Sequence, residues 1–209
     1  MRNPWEEIDL NDYENHMRLN NVLQLQAMNE MMKKQFYSYK INSIMVLGIA
    51  GGNGLEHIKR DSFQAIYGVD INQKYLDECK KRYPELKNVF IPICADLSSD
   101  KIRLPHSDLL IANLIIEYIG HKSFQNIVKL VRPRYISCII QLNTDDTFVS
   151  DSPYLHVFDN LKKIYHLIEE TDLINSMREM GYAKKLVEEK GLPNEKKLLR
   201  IDFYRTIKT

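Results

Sequence analysis

VLGIAGGNG, residues 46–54, places three of the chain's eight glycines within four positions, at the end of a short run rich in apolar residues. Glycine inside an element costs backbone entropy, so a cluster of it marks a tight turn, a positive φ, or something that must approach the backbone closely. The flanks narrow the choice. Ser43–Ile49 has the length and composition of a strand, and Leu55–Arg60 reads as the start of a helix. A strand, a glycine turn and a helix together present backbone N–H groups and the positive helix end, which suits the polar or anionic part of a nucleotide-like ligand.

The alternation continues downstream. Ala65–Val69, Val89–Ala95, Asp108–Ala112 and Tyr135–Leu142 are further strand-length apolar runs, although Pro92 is out of place in a central strand. Gln73–Arg82 and Ser123–Val131 between them are helical, the second with Phe124, Ile127, Val128 and Val131 on one face. This order predicts a doubly wound α/β sheet of parallel strands with right-handed crossovers. A helix over Asp172–Met180, ending at Gly181, leads into Ala183–Glu188 and Leu198–Ile207, which read as a solvated, charged hairpin closing the sheet edge. Upstream, Val22, Leu25, Met28, Met32 and Phe36 form the stripe of an amphipathic helix with Asn21 as its N-cap. The chain thus divides into an N-terminal helical cap, residues 1–40, and a core, residues 41–209.

Composition removes several classes. At 209 residues, 29 Lys+Arg against 28 Asp+Glu leave a formal charge of +1, without the basic footprint of a nucleic-acid binder. Cys79, Cys94 and Cys138 are isolated, as expected of reduced thiols in a cytoplasmic protein rather than a disulfide framework or a metal site. The polar N-terminus is not a signal peptide, and the longest apolar stretch, Leu109–Ile119, is too short to span a bilayer.

The glycine frame lacks the third glycine of G-x-G-x-x-G. Asp70 follows Gly54 by sixteen residues at the end of the second strand, where its two oxygens suit ribose hydroxyls. Asp96 ends the third strand and suits an adenine amino group, with the Leu97 N–H beside it. Asn113 ends the fourth. Polar groups from successive strands therefore reach the edge where open α/β sheets bind ligands. Each has a plainer reading: Asp70 and Asp96 as turn or cap acids, Asn113 as the cap of the next helix.

In VLGIAGGNG, YGVDIN, ICADL and DLLIANLIIEYI, in that order and spacing, the sequence resembles the class I S-adenosyl-L-methionine-dependent methyltransferases over about Ile44–Gln141. The resemblance implies a Rossmann-like, seven-stranded, mostly parallel sheet with a C-terminal antiparallel hairpin. It also implies S-adenosyl-L-methionine as cofactor. Ala50, Gly51, Gly52 and Gly54 would line its methionine part. Asp70 would hold the ribose, with Ile71 on the adenine. Asp96 and Leu97 would read the adenine edge, and Asn113 and Leu114 would flank the sulfonium. The sequence departs from the family in two places: Ala50 stands for a glycine, and Gly48 stands where an acid often holds the cofactor's amino group.

The implied chemistry is in-line methyl transfer, with a general base needed only for a nucleophile protonated at neutral pH. His16, Tyr13 and Glu117 are the candidates, in that order. Trp5, Tyr13, His16 and Met17 form either an active-site cover or a cap that only packs. Glu117 and Tyr118 either face the substrate or fill a packed helical turn. The loop Asn143–Pro153, with Tyr154 and His156, is the other candidate wall. The fourth-strand ANLI lacks the proline-aromatic motif of nucleic-acid amino-methyltransferases, and Cys94 lacks the adjoining proline of a cytosine enzyme. Both features favour a small-molecule acceptor. A non-catalytic sensor that binds the cofactor, or a nicotinamide-dependent oxidoreductase on a similar fold, remains an alternative.

Overall fold

Strands β1 (Ser43–Leu47), β2 (Ala65–Asp70), β3 (Phe90–Cys94), β4 (Leu109–Asn113), β5 (Tyr135–Leu142), β6 (Tyr182–Gly191) and β7 (Lys197–Arg205) form one sheet in the order β3-β2-β1-β4-β5-β7-β6. The computed structural model describes residues 3–143, 149–150 and 152–206. β1 to β5 run parallel, and β7 inserts antiparallel between β5 and β6. The seven-stranded sheet with its C-terminal antiparallel pair is the one the sequence leads one to expect. Pro92 lies on β3, an edge strand, where a missing N–H breaks no ladder on its outer side. The other edge, β6, is charged and carries a register shift between Lys184 and Leu186, devices that discourage a further strand from adding there.

Alternation along the strands sorts the core into two layers. Met45, Leu47, Leu110, Ala112, Ile136, Cys138, Ile201 and Phe203 face α4 (Ile116–Val131) and α5 (Glu170–Glu179). Ile44, Val46, Ile66, Leu109 and Ile111 face the other way, onto α2 (Gln24–Tyr37) and α3 (Gln73–Arg82).

Four expectations are corrected. No α-helix follows the glycine turn: Leu55–His57 is a single 3₁₀ turn, and a second turn with Asp61 at φ +64° leads straight into β2. Too few residues separate the turn from β2 for a helix to pack back on the sheet, and the Met32 and Phe36 side chains of α2 fill that place. Asn21 does not cap α2, which starts at Gln24 after Leu23 at φ +48°. The helix placed at Ser123 begins at Ile116 and is broken at Gly120, φ +73°, so its first turn stands apart and carries Glu117 and Tyr118. The C-terminal hairpin is solvated only on β6, because β7 is buried from Leu198 to Phe203. Ile207 lies outside the described residues.

Candidate active site

The glycine turn is packed against the protein itself. A Cβ on Gly51 would fall within 2.6 Å of Arg82 Nη1 and closer still to Glu14 Oε1. These two groups form a bidentate ion pair (2.5 and 3.1 Å) that ties α1 (Leu10–Arg18) to α3 directly over the turn. Gly52 faces Cys79 and Tyr83, and Gly54 faces Met32. Gly51→Ala is therefore expected to cost about 1–3 kcal/mol by thermal denaturation. Part of that loss should vanish in a Glu14→Ala background, where the nearer of the two side chains is gone and Arg82 is released from its ion pair.

Asp70 organises the start of the site. Its Oδ2 accepts from Ala50 N (2.9 Å) and its Oδ1 from Asn72 N (2.9 Å). These bonds hold Ala50 at φ +49°. Burial pushes the Asp70 carboxyl up, and the N–H groups of Asn72, Ala50 and Ile71 pull it back. Asp70 is thus the turn acid of the plainer reading, with lone pairs left over toward a cavity. Leu114, at φ +53°, is a second left-handed residue at the site, held by its N–H donating to Ile139 O (2.8 Å). A bulky side chain there is strained backbone of the kind that gathers at functional sites.

Three cavities adjoin at the carboxyl ends of β1 to β4. The first, about 640 Å³ of empty space with its open mouth included, is lined by Ala50, Asp70, Ile71, Asp96, Leu97 and Asn113. The second is lined by Trp5, His16, Glu117, Tyr118, Phe158 and Tyr165. The third runs under α1 past Glu14, Met28, Gly48, Ala50, Gly51 and Asn53. Tyr13 and Leu114 line all three. Of the sequence-derived residues, Gly52 and Gly54 line none of them. Asp108 sits at the opposite end of the sheet, where its Oδ2 accepts from Asn42 N and Ser43 N (2.8 and 3.0 Å).

The N-terminal segment covers this edge. Asn72 Nδ2 donates to Trp5 O (3.0 Å) and Tyr75 Oη to Ile8 O (2.8 Å), pinning the chain before α1 to α3. Trp5 meets Tyr13 and Tyr118 edge-on, with centroids 5.6 and 5.0 Å apart. Residues 144–148 and 151 of the expected loop wall lie outside the described residues. Tyr154 packs with the aromatic cluster, and His156 is exposed.

The three base candidates differ. Burial, reinforced by the Asp70 and Glu14 charges, pushes the Tyr13 phenol far up, so it stays protonated. Burial, then the Lys196 charge, lowers His16, so its imidazole is neutral at neutral pH, with Nδ1 2.7 Å from Ser152 Oγ. Burial raises Glu117 to about 7. Its Oε1 accepts from Gln141 N (3.0 Å), while Oε2 is buried without a hydrogen-bond partner among the described residues.

Asn113 leads into a buried network absent from the sequence reading. Its amide exchanges two hydrogen bonds with Gln35 of α2 (2.9 and 2.8 Å). Gln35 also donates to Ser137 Oγ, and Ser137 donates to Asp202 Oδ1 (2.8 and 2.5 Å). Asp202 holds Arg200 through Nε and Nη2 (2.9 and 2.5 Å). The side chain of Asn113 is thus tied to α2, and the residue lines the first and third cavities. Among the described residues, no group of His, Cys, Asp and Glu is placed to hold a metal, and no helix is long and apolar enough to cross a membrane.

No protein-family model matches the sequence, and neither does any curated protein. Solved structures match in fold. The methyltransferase domain of bacterial CtHen1-C shares 16% identity over 95% of this chain and 100% of its own, with a TM-score of 0.63. Magnesium protoporphyrin IX methyltransferase from Synechocystis, with bound S-adenosylhomocysteine, shares 12% over 93% of this chain and 87% of its own, TM-score 0.62. The cyclase SpnF shares 10% over 87% and 82%, TM-score 0.65. At such identities the likeness establishes the fold alone, one shared with these methyltransferases and the cyclase, and leaves the activity to be argued from the site.

Proposed function

We propose that this protein is an S-adenosyl-L-methionine-dependent methyltransferase acting on a small-molecule acceptor. The observation that carries the reading is the meeting of three cavities at Tyr13 and Leu114. Two of them suit the halves of one elongated ligand, and the third suits its reaction partner. When bound, the cofactor supplies an already activated methyl group, so the protein's task is alignment and exclusion of water. Positioning of this kind can contribute roughly 7–11 kcal/mol.

In this reading the first cavity takes the adenosine. Asp70 receives the ribose hydroxyls on lone pairs that the Ala50 and Asn72 N–H groups leave free. Ile71 packs on the base, and Asp96 and the Leu97 N–H meet its polar edge. The third cavity takes the methionine end along Ala50 and Gly51. Gly48, where the family often has an acid, lines that same cavity with Glu14. Glu14 therefore replaces the missing acid, delivered from α1 rather than from β1, and Arg82 holds it in place. The backbone at Asn113 and Leu114 borders the sulfonium, whose charge the rings of Trp5, Tyr13 and Tyr118 attract. The second cavity, roofed by α1 and the 3₁₀ segment Leu155–Lys163, takes the acceptor. That enclosure and the chain's near-neutral charge favour a small molecule.

Calorimetric titration with S-adenosylhomocysteine, NADH and NADPH tests this. The first alone is expected to bind, with micromolar affinity. Asp70→Ala should abolish binding, and Glu14→Gln should weaken it about tenfold, the equivalent of about 1.4 kcal/mol. A response to a nicotinamide alone, or to none of the three, overturns the proposal.

A further inference from the structure

Resting on that reading, the acceptor's chemistry can be taken from the second cavity. Among the described residues that line it, Glu117 is the only one with a carboxyl group, and none is Lys or Arg. Glu117 is 3% exposed, with Oε2 bare. A buried oxygen without a donor is costly, and a ligand that brings one recovers the loss. The surrounding wall is aromatic: Trp5 stands edge-on to Tyr118, and Tyr118 stands 6.1 Å from Tyr165 in the same manner. Aromatic rings beside a carboxylate are the ingredients of a cation site. The other titratable groups among the described residues nearby do not offset this, since His16 is neutral and the phenols of Tyr13, Tyr118 and Tyr165 are pushed up by burial. Lys196, buried, acts on His16. A carboxylate or phosphate substrate would face Glu117 with no cation among the described lining residues to balance it.

We propose that the acceptor is a primary or secondary amine, drawn in as its cation among the rings of Trp5, Tyr118 and Tyr165, with an N–H donated to Glu117 Oε2. Glu117 takes one proton from the ammonium group and so frees the nitrogen lone pair. As the nitrogen–carbon bond forms, the carbon–sulfur bond breaks and its electron pair stays on sulfur. The methylated nitrogen leaves as a cation, and Glu117 returns its proton to water. A carboxyl group with a pKa near neutrality is suited to both transfers.

Tyramine and phenethylamine, with 4-ethylphenol and phenylacetate as counterparts, are titrated calorimetrically into the full chain with and without S-adenosylhomocysteine. The amines are expected to bind at least about tenfold more tightly than the phenol or the acid. Glu117→Gln, with unchanged thermal unfolding at pH 5 as the check on folding, should lose about thirtyfold in amine affinity and little in phenol affinity. Tyr165→Leu should weaken amines selectively and independently of the carboxyl group. Tighter binding of the phenol or the acid, no amine binding, or amine affinity unchanged in Glu117→Gln each overturns the proposal. Failure of S-adenosylhomocysteine to bind while amines bind in a Glu117-dependent way sinks the methyltransferase reading and leaves the amine site standing.

Discussion

Asp202→Ala is expected to destabilise the protein by about 3–5 kcal/mol, the cost of leaving a buried charge without its partner. Arg200 is 2% exposed and Asp202 fully buried, and the carboxylate also receives Ser137 Oγ and Tyr39 Oη. For a chain of this size that corresponds to a fall in Tm of about 2–4 °C per kcal/mol. Replacing both partners by apolar residues, Arg200→Met with Asp202→Leu, should recover much of the loss, because the pair's own desolvation is then removed as well. Denaturant unfolding of the two singles and the double measures the coupling. Additive losses would mean that the pair does not act as a unit. Through Ser137 and Gln35 the same network reaches Asn113, so Asp202→Ala is also expected to weaken S-adenosylhomocysteine binding.

Glu117→Gln is expected to stabilise the fold at high pH and to leave it unchanged at low pH. Burial raises the Glu117 carboxyl from 4.5 to about 7, so the folded state holds a proton that the unfolded chain releases. Stability is therefore lost as pH rises from 4.5 to about 7 and levels off beyond, by about 3 kcal/mol in total. Glutamine keeps the acceptor for Gln141 N and does not ionise. Chemical unfolding at pH 5 and pH 8.5 should show the variant gaining on the parent mainly at the higher value. Equal differences at both would mean that Glu117 is not held neutral by burial.

The parallel sheet was legible because strand-length apolar runs alternate with helical patterns, and β5 is a nearly continuous run of apolar residues. The glycine turn was legible as a turn, but its reason was not. Gly51, Gly52 and Gly54 make room for Glu14, Arg82, Cys79, Tyr83 and Met32, none of which adjoins them in sequence. The Arg200-Ile201-Asp202 alternation reads as a solvated face, and only α2, some 160 residues earlier, turns that face inward. Glu14 carried no signal of its own, since its importance depends on lying across a glycine turn from α1. Asp70, Asp96 and Asn113 were legible because strand ends in this topology converge on one edge whatever the loops between them do.

The missing crossover helix after β1 has a consequence for biosynthesis. The face it leaves open is covered by α2, whose Met28, Met31, Met32 and Phe36 are buried against β1, β4, β5 and β7. A ribosome makes α2 before any strand of the sheet and β7 after all the others, so Met32 and Phe36 meet β1 and β4 early while the Met28 and Met31 end of the stripe waits for β5 and β7. Nascent chains halted before Lys197 therefore present that end of the stripe to chaperones and proteases, as partly synthesised chains with uncovered apolar surface do. The packing of α2 that closes the ligand cavities is complete only once β7 has been made.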